Sequence, residues 1–151
     1  MDVIVTERKS ATWIQLNRPE RRNAFDPEMA SEIVNAIDGA TASRAVVITG
    51  SPGSFCSGGS LTSLAHPTER EMRYMYEGSL RLFDAIRRCP RPVIAAVNGA
   101  AAGGGNELIV ACDLAIASKS ATFGQTGPRV GSAPVTGATN VMGIQIGEKR
   151  A

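Results

Sequence analysis

The sequence twice places a glycine-rich turn between a continuous apolar run and the start of a helical pattern. In the first copy, Ile48-Thr49-Gly50 leads to Ser57-Gly58-Gly59-Ser60-Leu61. In the second copy, Val97-Asn98-Gly99 leads to Gly103-Gly104-Gly105-Asn106-Glu107. Apolar runs bounded by glycine and proline are typical of strands that are buried on both faces. Because such strands alternate with helices along the chain, the predicted fold class is α/β.

The N-terminal part of the chain predicts a hairpin followed by a helix. Two β-branched runs, 3–6 and 12–16, are separated by a polar stretch and therefore predict two paired strands. Asp26 suits a helix N-cap, since Pro27 then occupies the first helical position. The face of this helix that we expect to be buried consists of Met29, Ile33 and Ile37.

The remaining apolar runs predict strands at 45–49, 93–97 and 114–117, and a short helix at 107–112. Residues 123–137 are rich in glycine and proline and predict a loop, and a further helical pattern begins at 143.

A longer helix is predicted from about Thr68 to Arg88, where Pro90 stops it. Its apolar residues recur at helical spacing, and we interpret them as core rather than as a cofactor site. They are Met72, Met75, Tyr76, Leu80, Phe83 and Ile86.

Composition excludes several classes of function. The net charge of +2 is too small to indicate nucleic-acid binding. Three cysteines without metal-ligand spacing indicate reduced thiols, a cytoplasmic protein and no metal site. Asp2 stands where a signal peptide needs positive charge, and no apolar run reaches about 18 residues, so no association with a membrane is expected.

The two turns could serve a ligand or merely pack a strand against a helix. Glycine lets a ligand approach the backbone closely, and a helix start supplies free N–H groups with a positive dipole end. Such a turn can bind a phosphate or an oxyanion. Neither turn carries the ending of a P-loop or the spacing of a dinucleotide-binding motif, which disfavours phosphate. Close packing without chemistry remains the alternative.

Four sequence blocks extend this pattern and resemble, in this order, those of the enoyl-CoA hydratase/isomerase (crotonase) family over nearly the whole chain. They are 17–20 with 23–25, 46–50 with 55–59, 92–99 with 103–108 and 111–114, and Phe123-Gly124-Gln125. The resemblance implies a spiral of ββα repeats. It also implies a homo-oligomer, which is a trimer or hexamer in the family.

The resemblance implies that the chain binds an acyl-CoA thioester, with coenzyme A as part of the substrate and no separate cofactor. By position, the N–H groups of Gly59 and Gly104 hold the thioester oxygen as it becomes an enolate. Fixed donors of this kind are each worth roughly 3–4 kcal/mol in the transition state. The positions that match the substrate-binding segments are Arg22, Ala24, Ser57, Gly58, Ser60, Leu61 and Gly105. For Arg22, a merely solvated side chain is the alternative.

Family hydratases use two glutamates to activate a water molecule and deliver its proton, and Glu107 matches the first. An ordinary glutamate at a helix N-terminus is the alternative. The second glutamate is expected where this chain has Gly127, which cannot transfer a proton. A double-bond isomerase is disfavoured for the same reason, because its usual base sits at that position.

The residues around Gly127 look like the naphthoate synthase and ring-opening hydrolase branches, which make or break a C–C bond in cyclic or 2-keto acyl-CoAs. The naphthoate synthases carry an aspartate where this chain has Ala133-Pro134. Ser132 or Thr136 could replace it as a hydrogen-bonding group, or both could be turn residues.

Two hypotheses follow. The first is a lyase or hydrolase that acts on an acyl-CoA, in which Glu107 handles water. The second is a catalytically weak or inactive acyl-CoA-binding module, indicated by Gly127, by Ser60 where an aspartate is common, and by the end of the sequence at Ala151. Residues 1–151 are expected to form the family's N-terminal core without the C-terminal helices that cover the CoA and build the trimer interface. His66 is interpreted as a turn histidine, with a catalytic base as the alternative.

Overall fold

The computed structural model describes residues 1–60 and 67–150, so Leu61 and His66 lie outside the described residues. Its strands and helices are β1 (Val3–Arg8), β2 (Ala11–Leu16), α1 (Pro27–Gly39), β3 (Ala45–Gly50), β4 (Ser54–Cys56), α2 (Glu69–Arg88), β5 (Val93–Val97), β6 (Ala100–Ala102), α3 (Gly104–Ala111), β7 (Leu114–Ala117), β8 (Phe123–Gly124) and α4 (Ala138–Ile146). Short 3-10 turns occupy Pro19–Arg21 and Gly127–Val130.

The strands form two sheets that the chain visits in alternation. A five-stranded sheet has the order β1-β2-β3-β5-β7, with β1 antiparallel to β2 and the other pairs parallel. A second, parallel sheet has the order β4-β6-β8. The strands β3, β5 and β7 are each followed by a strand of the second sheet and then by a helix. The fold is therefore α/β and consists of ββα repeats, which confirms both the predicted class and the expected architecture.

The core lies between the five-stranded sheet and the helices α1 and α2. The central strand β3 buries side chains on both faces, as its continuous apolar run predicts, whereas β5 buries one face and leaves the other half-buried. Helix α1 contributes Met29, Ile33 and Ile37, all of which are buried. Burying each such side chain contributes roughly 1.5–3 kcal/mol. The hairpin of β1 and β2 is also confirmed.

Two helix starts are fixed by side-chain caps. Asp26 accepts a hydrogen bond from the Met29 amide at 3.0 Å and so caps α1, with Pro27 at the first helical position as predicted. Arg18 also donates to the Asp26 carboxylate, at 2.6 Å. Burial would raise the pKa of Asp26, but the hydrogen bonds from Arg18 and Met29 outweigh it and lower that pKa. Thr68 and Glu71 form a capping box at the start of α2.

Helix α2 differs from its predicted packing. Leu80 is 52% exposed and Tyr76 is 39% exposed, although both were expected to lie in the core. The buried residues of α2 are Gly78, Leu82, Phe83 and Ile86. Helix α2 packs mainly against α1, and its buried residues lie from Gly78 onwards. The interpretation of the whole stripe as core was therefore wrong.

Three smaller predictions are also corrected. The helix expected at 107–112 begins earlier, at Gly104. The helical pattern expected from 143 is α4, which spans Ala138–Ile146 and ends before Gly147. The segment 123–137, expected to be a loop, contains β8 and a 3-10 turn. Within the described ranges, none of the helices has both the length and the apolar character needed to cross a bilayer.

Candidate active site

The two glycine-rich turns meet at the ends of β4 and β6. A Cβ atom built on Gly104 would lie 3.3 Å from the Gly59 nitrogen, and one built on Gly58 would lie 2.9 Å from the Gly104 nitrogen. Since a Cβ lies about 2.5 Å from its own nitrogen, the Gly59 and Gly104 nitrogens are less than about 6 Å apart. Side chains at Gly58 and Gly104 would separate the turns, so glycine permits this close approach.

The first turn is held by a parallel bridge between Phe25 and Gly59. The Phe25 amide donates to the Gly58 carbonyl at 2.9 Å, and the Ser60 amide donates to the Phe25 carbonyl at 2.8 Å. In this pattern the N–H of the intervening Gly59 points away from Phe25. Within residues 1–60 and 67–150, no backbone carbonyl accepts from the Gly59 amide.

The second turn opens helix α3. Gly103 has a φ of 51°, and its amide donates to the Gly124 carbonyl at 2.9 Å. Gly104 is the first residue of α3, where backbone N–H groups have no partner inside the helix. The described part of the chain offers no backbone acceptor to the Gly104 amide either. The partial positive charge of the helix end therefore adds to this free donor.

Asn23 ties the segment before α1 to both ends of the β3–β4 connection. Its carboxamide is fully buried, accepts from the Arg18 amide at 3.0 Å and from the Ser51 hydroxyl at 2.8 Å, and donates to the Ser54 carbonyl at 2.9 Å. Asn23 adopts a left-handed φ of 57°, which asparagine tolerates better than most residues. No separate role for Asn23 was predicted from the sequence, although an asparagine at the end of a polar turn is a recognisable signal.

A cavity of about 170 Å³ opens at the junction of the two turns. Its described lining combines both turns, one face of α2, Glu107, and the segment after β8. The residues that line it from α2 are Met72, Met75, Tyr76, Ser79 and Phe83. The N-terminal half of the α2 stripe therefore faces this cavity instead of the core. Helical spacing alone could not distinguish these two environments.

Glu107 lies in the first turn of α3, and its side chain reaches the same cavity. Only 5% of the residue is exposed. One carboxylate oxygen, Oε1, accepts a hydrogen bond from the Thr136 amide at 3.1 Å. The structure thus brings Gly59, Gly104 and Glu107 together around one cavity.

Gly127 also lines the cavity, but its surroundings leave no room for a side chain. A Cβ at this position would lie 2.9 Å from the Ser132 carbonyl oxygen. The Ser132 amide donates to the Gly127 carbonyl at 2.9 Å, which closes the turn. Contacts of this length are shorter than those of real Cβ atoms, so the backbone itself occupies the space that a second carboxylate would need.

Ser132 and Thr136, which the sequence left as alternatives, occupy different environments. Ser132 is exposed, and its hydroxyl donates at 3.5 Å to the Ala133 carbonyl. Thr136 is 9% exposed and its backbone holds Glu107. The Thr136 hydroxyl is buried and has no hydrogen-bond partner in the part of the chain that the structure describes.

The other predicted substrate-binding residues surround the turns. Arg22 and Ser57 are exposed, and Ser57 lines the cavity mouth together with Gly58. Ala24 and Ser60 are buried beside the bridge. Gly105 packs on β4, where a Cβ would lie 2.1 Å from the Cys56 carbonyl oxygen. Ala24, Ser60 and Gly105 are outside the cavity lining as far as the described residues define it.

Cys56 lies directly beneath the first turn. Its thiol donates to the Asn23 carbonyl at 3.1 Å, and burial raises its pKa to about 12. The thiol therefore stays protonated at neutral pH and packs as a small apolar group. In the described ranges no three His, Cys, Asp or Glu side chains are grouped in a way that could hold a metal ion.

Comparison with known proteins identifies a family whose sequences match this chain. A family model described as enoyl-CoA hydratase/isomerase matches residues 6–151. A Rhodobacter capsulatus protein named "Probable enoyl-CoA hydratase" is 44% identical over 142 residues, which cover 91% of this chain and 54% of that protein.

Solved structures agree with this match. An enoyl-CoA hydratase from Polaromonas sp. JS666 is 36% identical with a TM-score of 0.87, over 91% of this chain and 56% of that one. An enoyl-CoA hydratase from Bacillus anthracis is 32% identical with a TM-score of 0.90, over 99% of this chain and 60% of that one. The chain thus spans 54–60% of the length of these relatives.

Proposed function

The chain belongs to the enoyl-CoA hydratase/isomerase family, and from this premise we propose that it binds an acyl-CoA thioester and stabilises its enolate. The amides of Gly59 and Gly104 hold the thioester oxygen. Coenzyme A enters as part of the substrate, and no separate cofactor takes part.

One observation carries this proposal: two neighbouring amides without backbone partners in the described chain adjoin a cavity that also contains a buried carboxylate. Charge that develops on a carbonyl oxygen is best stabilised by donors that are already fixed in place. Both donors here are fixed, one by the Phe25 bridge and the other by the start of α3. Each is expected to contribute about 3–4 kcal/mol to the transition state.

The proposed role of Glu107 is to transfer protons between water and the substrate. Its Oε1 is held by the Thr136 amide, which leaves Oε2 for the reaction. Because Gly127 offers no second carboxylate, one group must both take and return the proton. We therefore favour lyase or hydrolase chemistry on an acyl-CoA whose acyl group lies against the α2 face of the cavity.

A binding module with weak or no catalysis is the second candidate. The observation that favours it is the closed backbone around Gly127, which excludes a two-carboxylate reaction. Calorimetry with acetyl-CoA and an assay of crotonyl-CoA consumption separate the two candidates. Binding with turnover supports the enzyme, and binding without turnover supports the module.

We expect Gly59→Pro to abolish enolate stabilisation, because proline has no N–H to donate. The variant should lose the ultraviolet absorbance of the bound acetoacetyl-CoA enolate, and turnover should fall by roughly 10²–10³-fold. Gly59→Ala is the matched control: it keeps the N–H, and no described atom lies within 4 Å of the new methyl group. Equal enolate signals from the proline and alanine variants would contradict a donor role for Gly59.

We also expect that Gly127→Glu does not create a two-glutamate hydratase. The new side chain would meet the Ser132 carbonyl, so crotonyl-CoA hydration should not rise and stability should fall by about 1–3 kcal/mol. Gly124→Ala is a suitable control, since its Cβ would make an ordinary 3.8 Å contact with Thr126. Thermal unfolding and hydration rates measure both effects. A stable Gly127→Glu variant with faster hydration would show that the turn opens.

A further inference from the structure

We infer that Thr136 positions the reacting water: its amide fixes one oxygen of Glu107, and its hydroxyl, with the other Glu107 oxygen, binds that water molecule. This inference rests on the proposed function. It adds the Thr136 hydroxyl as a second polar group, beside Glu107, that binds the reacting water. It uses a residue that lies outside the two glycine-rich turns.

The first argument is the unsatisfied hydroxyl. Thr136 is more than nine-tenths buried, and its Oγ1 has no partner among the residues that the structure describes. Buried hydroxyls are nearly always hydrogen-bonded, and one without a protein partner indicates bound water or a ligand group. Thr136 also lines the cavity, and the water of this proposal lies at that wall.

The second argument is the position of this hydroxyl relative to Glu107. The Thr136 amide nitrogen lies 3.1 Å from Glu107 Oε1. A threonine Oγ1 is within about 4 Å of its own amide nitrogen, whichever rotamer it adopts. The hydroxyl therefore lies within about 7 Å of Glu107 Oε1, and both residues line the same cavity.

The third argument is that the fold holds this pair from both sides. Helix α4 begins two residues after Thr136 and packs against α3, which carries Glu107. The Gln145 side chain donates to the Val110 carbonyl at 3.1 Å and links the two helices. Thr136 thus lies directly before a helix that packs on the helix carrying Glu107, so the contact between these two helices limits how far Thr136 can move from Glu107.

Two other hydroxyls near the cavity, those of Ser79 and Ser132, do not fit this role. The Ser79 hydroxyl donates to the Met75 carbonyl at 3.0 Å, within its own helix. The Ser132 hydroxyl is exposed and bonds a neighbouring carbonyl. Of these three residues only Thr136 is buried, has a hydroxyl without a partner among the described residues, and binds Glu107 through its amide.

In this arrangement a single carboxylate is sufficient to take a proton from water and return it to the substrate. The water oxygen bonds to the β-carbon of an enoyl thioester while Glu107 takes one proton from the water. The electron pair of the double bond moves onto the thioester oxygen as the enolate. Glu107 then returns the proton to the α-carbon, which regenerates the carboxylate and completes the addition of water. Thr136 keeps its own proton and only orients the water.

The test compares Thr136→Val with Thr136→Ser. Valine keeps the shape and the amide bond to Glu107 but removes the hydroxyl, whereas serine keeps the hydroxyl. We expect valine to lower kcat for crotonyl-CoA hydration by about 10–100-fold, with KM within about twofold and an unchanged acetoacetyl-CoA enolate signal. Serine should restore most of kcat. Thr139→Val, an exposed position on α4, should leave all three values unchanged.

The possible outcomes show whether the role of Thr136, or the proposed function on which it rests, is overturned. A Thr136→Val enzyme with wild-type kcat overturns the role of Thr136. Loss of both kcat and the enolate signal in valine and serine alike indicates a structural role and also overturns it. A wild-type protein that forms the enolate but consumes no water overturns this inference alone, whereas a wild type that forms no enolate overturns the proposed function as well.

Discussion

Glu107→Gln is expected to reduce acyl-CoA turnover by about 10²–10⁴-fold while binding of the CoA ester persists. Glutamine has the shape of glutamate, and its carbonyl oxygen can still accept a hydrogen bond from the Thr136 amide. It cannot take a proton from water. Because Glu107 is the only carboxylate among the described residues lining the cavity, no other lining side chain can replace it.

Steady-state rates with crotonyl-CoA and calorimetry with acetyl-CoA measure the two halves of this prediction. Glu77→Gln is the matched control, since Glu77 is an exposed residue of α2 outside the described cavity lining. Turnover at the wild-type rate in Glu107→Gln would remove Glu107 from the mechanism. Loss of binding together with turnover would assign it a structural role.

Gly105→Ala is expected to destabilise the protein by about 3 kcal/mol or more. The new Cβ would lie 2.1 Å from the Cys56 carbonyl oxygen and 2.7 Å from its carbonyl carbon. Both contacts are with backbone, which cannot rotate away as a flexible side chain can. Helix α3 would have to move off β4, and this would separate the two turns.

Urea denaturation measures the change in the free energy of unfolding. Gly39→Ala serves as control, because nothing described lies within 4 Å of its Cβ and alanine favours a helix. The control should unfold at or slightly above the wild-type urea concentration. A Gly105→Ala variant that unfolds at the same concentration as this control would show that the close contact is relaxed in solution.

The parts of the fold that could be predicted from the sequence are those that one local sequence feature determines. The continuous apolar run of β3 predicts a buried strand because both of its faces are covered, whereas β5 is fully buried on one face only. Asp26 and Pro27 predict the start of α1 because the N-cap demands these residue types. The contact between the two glycine-rich turns could be predicted only from the family resemblance, because the spacing of residues along the sequence does not give their distance in space.

The parts that were missed depend on tertiary context. Strands β4, β6 and β8 have two or three residues each, too few for any periodicity to emerge. The stripe on α2 is regular in sequence, but Met72 and Met75 line the cavity, whereas Ile86 lies in the core. The closed backbone around Gly127, and the Thr136 hydroxyl that has no partner in the described ranges, depend on a turn whose path no local pattern specifies.

The glycines of the two turns present only main-chain atoms to the cavity, whereas α2 lines it with residues such as Met72 and Met75. These walls can therefore change independently over evolution. Exchanging a methionine on α2 reshapes the room for an acyl group without shifting an amide at Gly59 or Gly104. A fold of this kind can acquire new substrates while the two proposed amide donors stay in place.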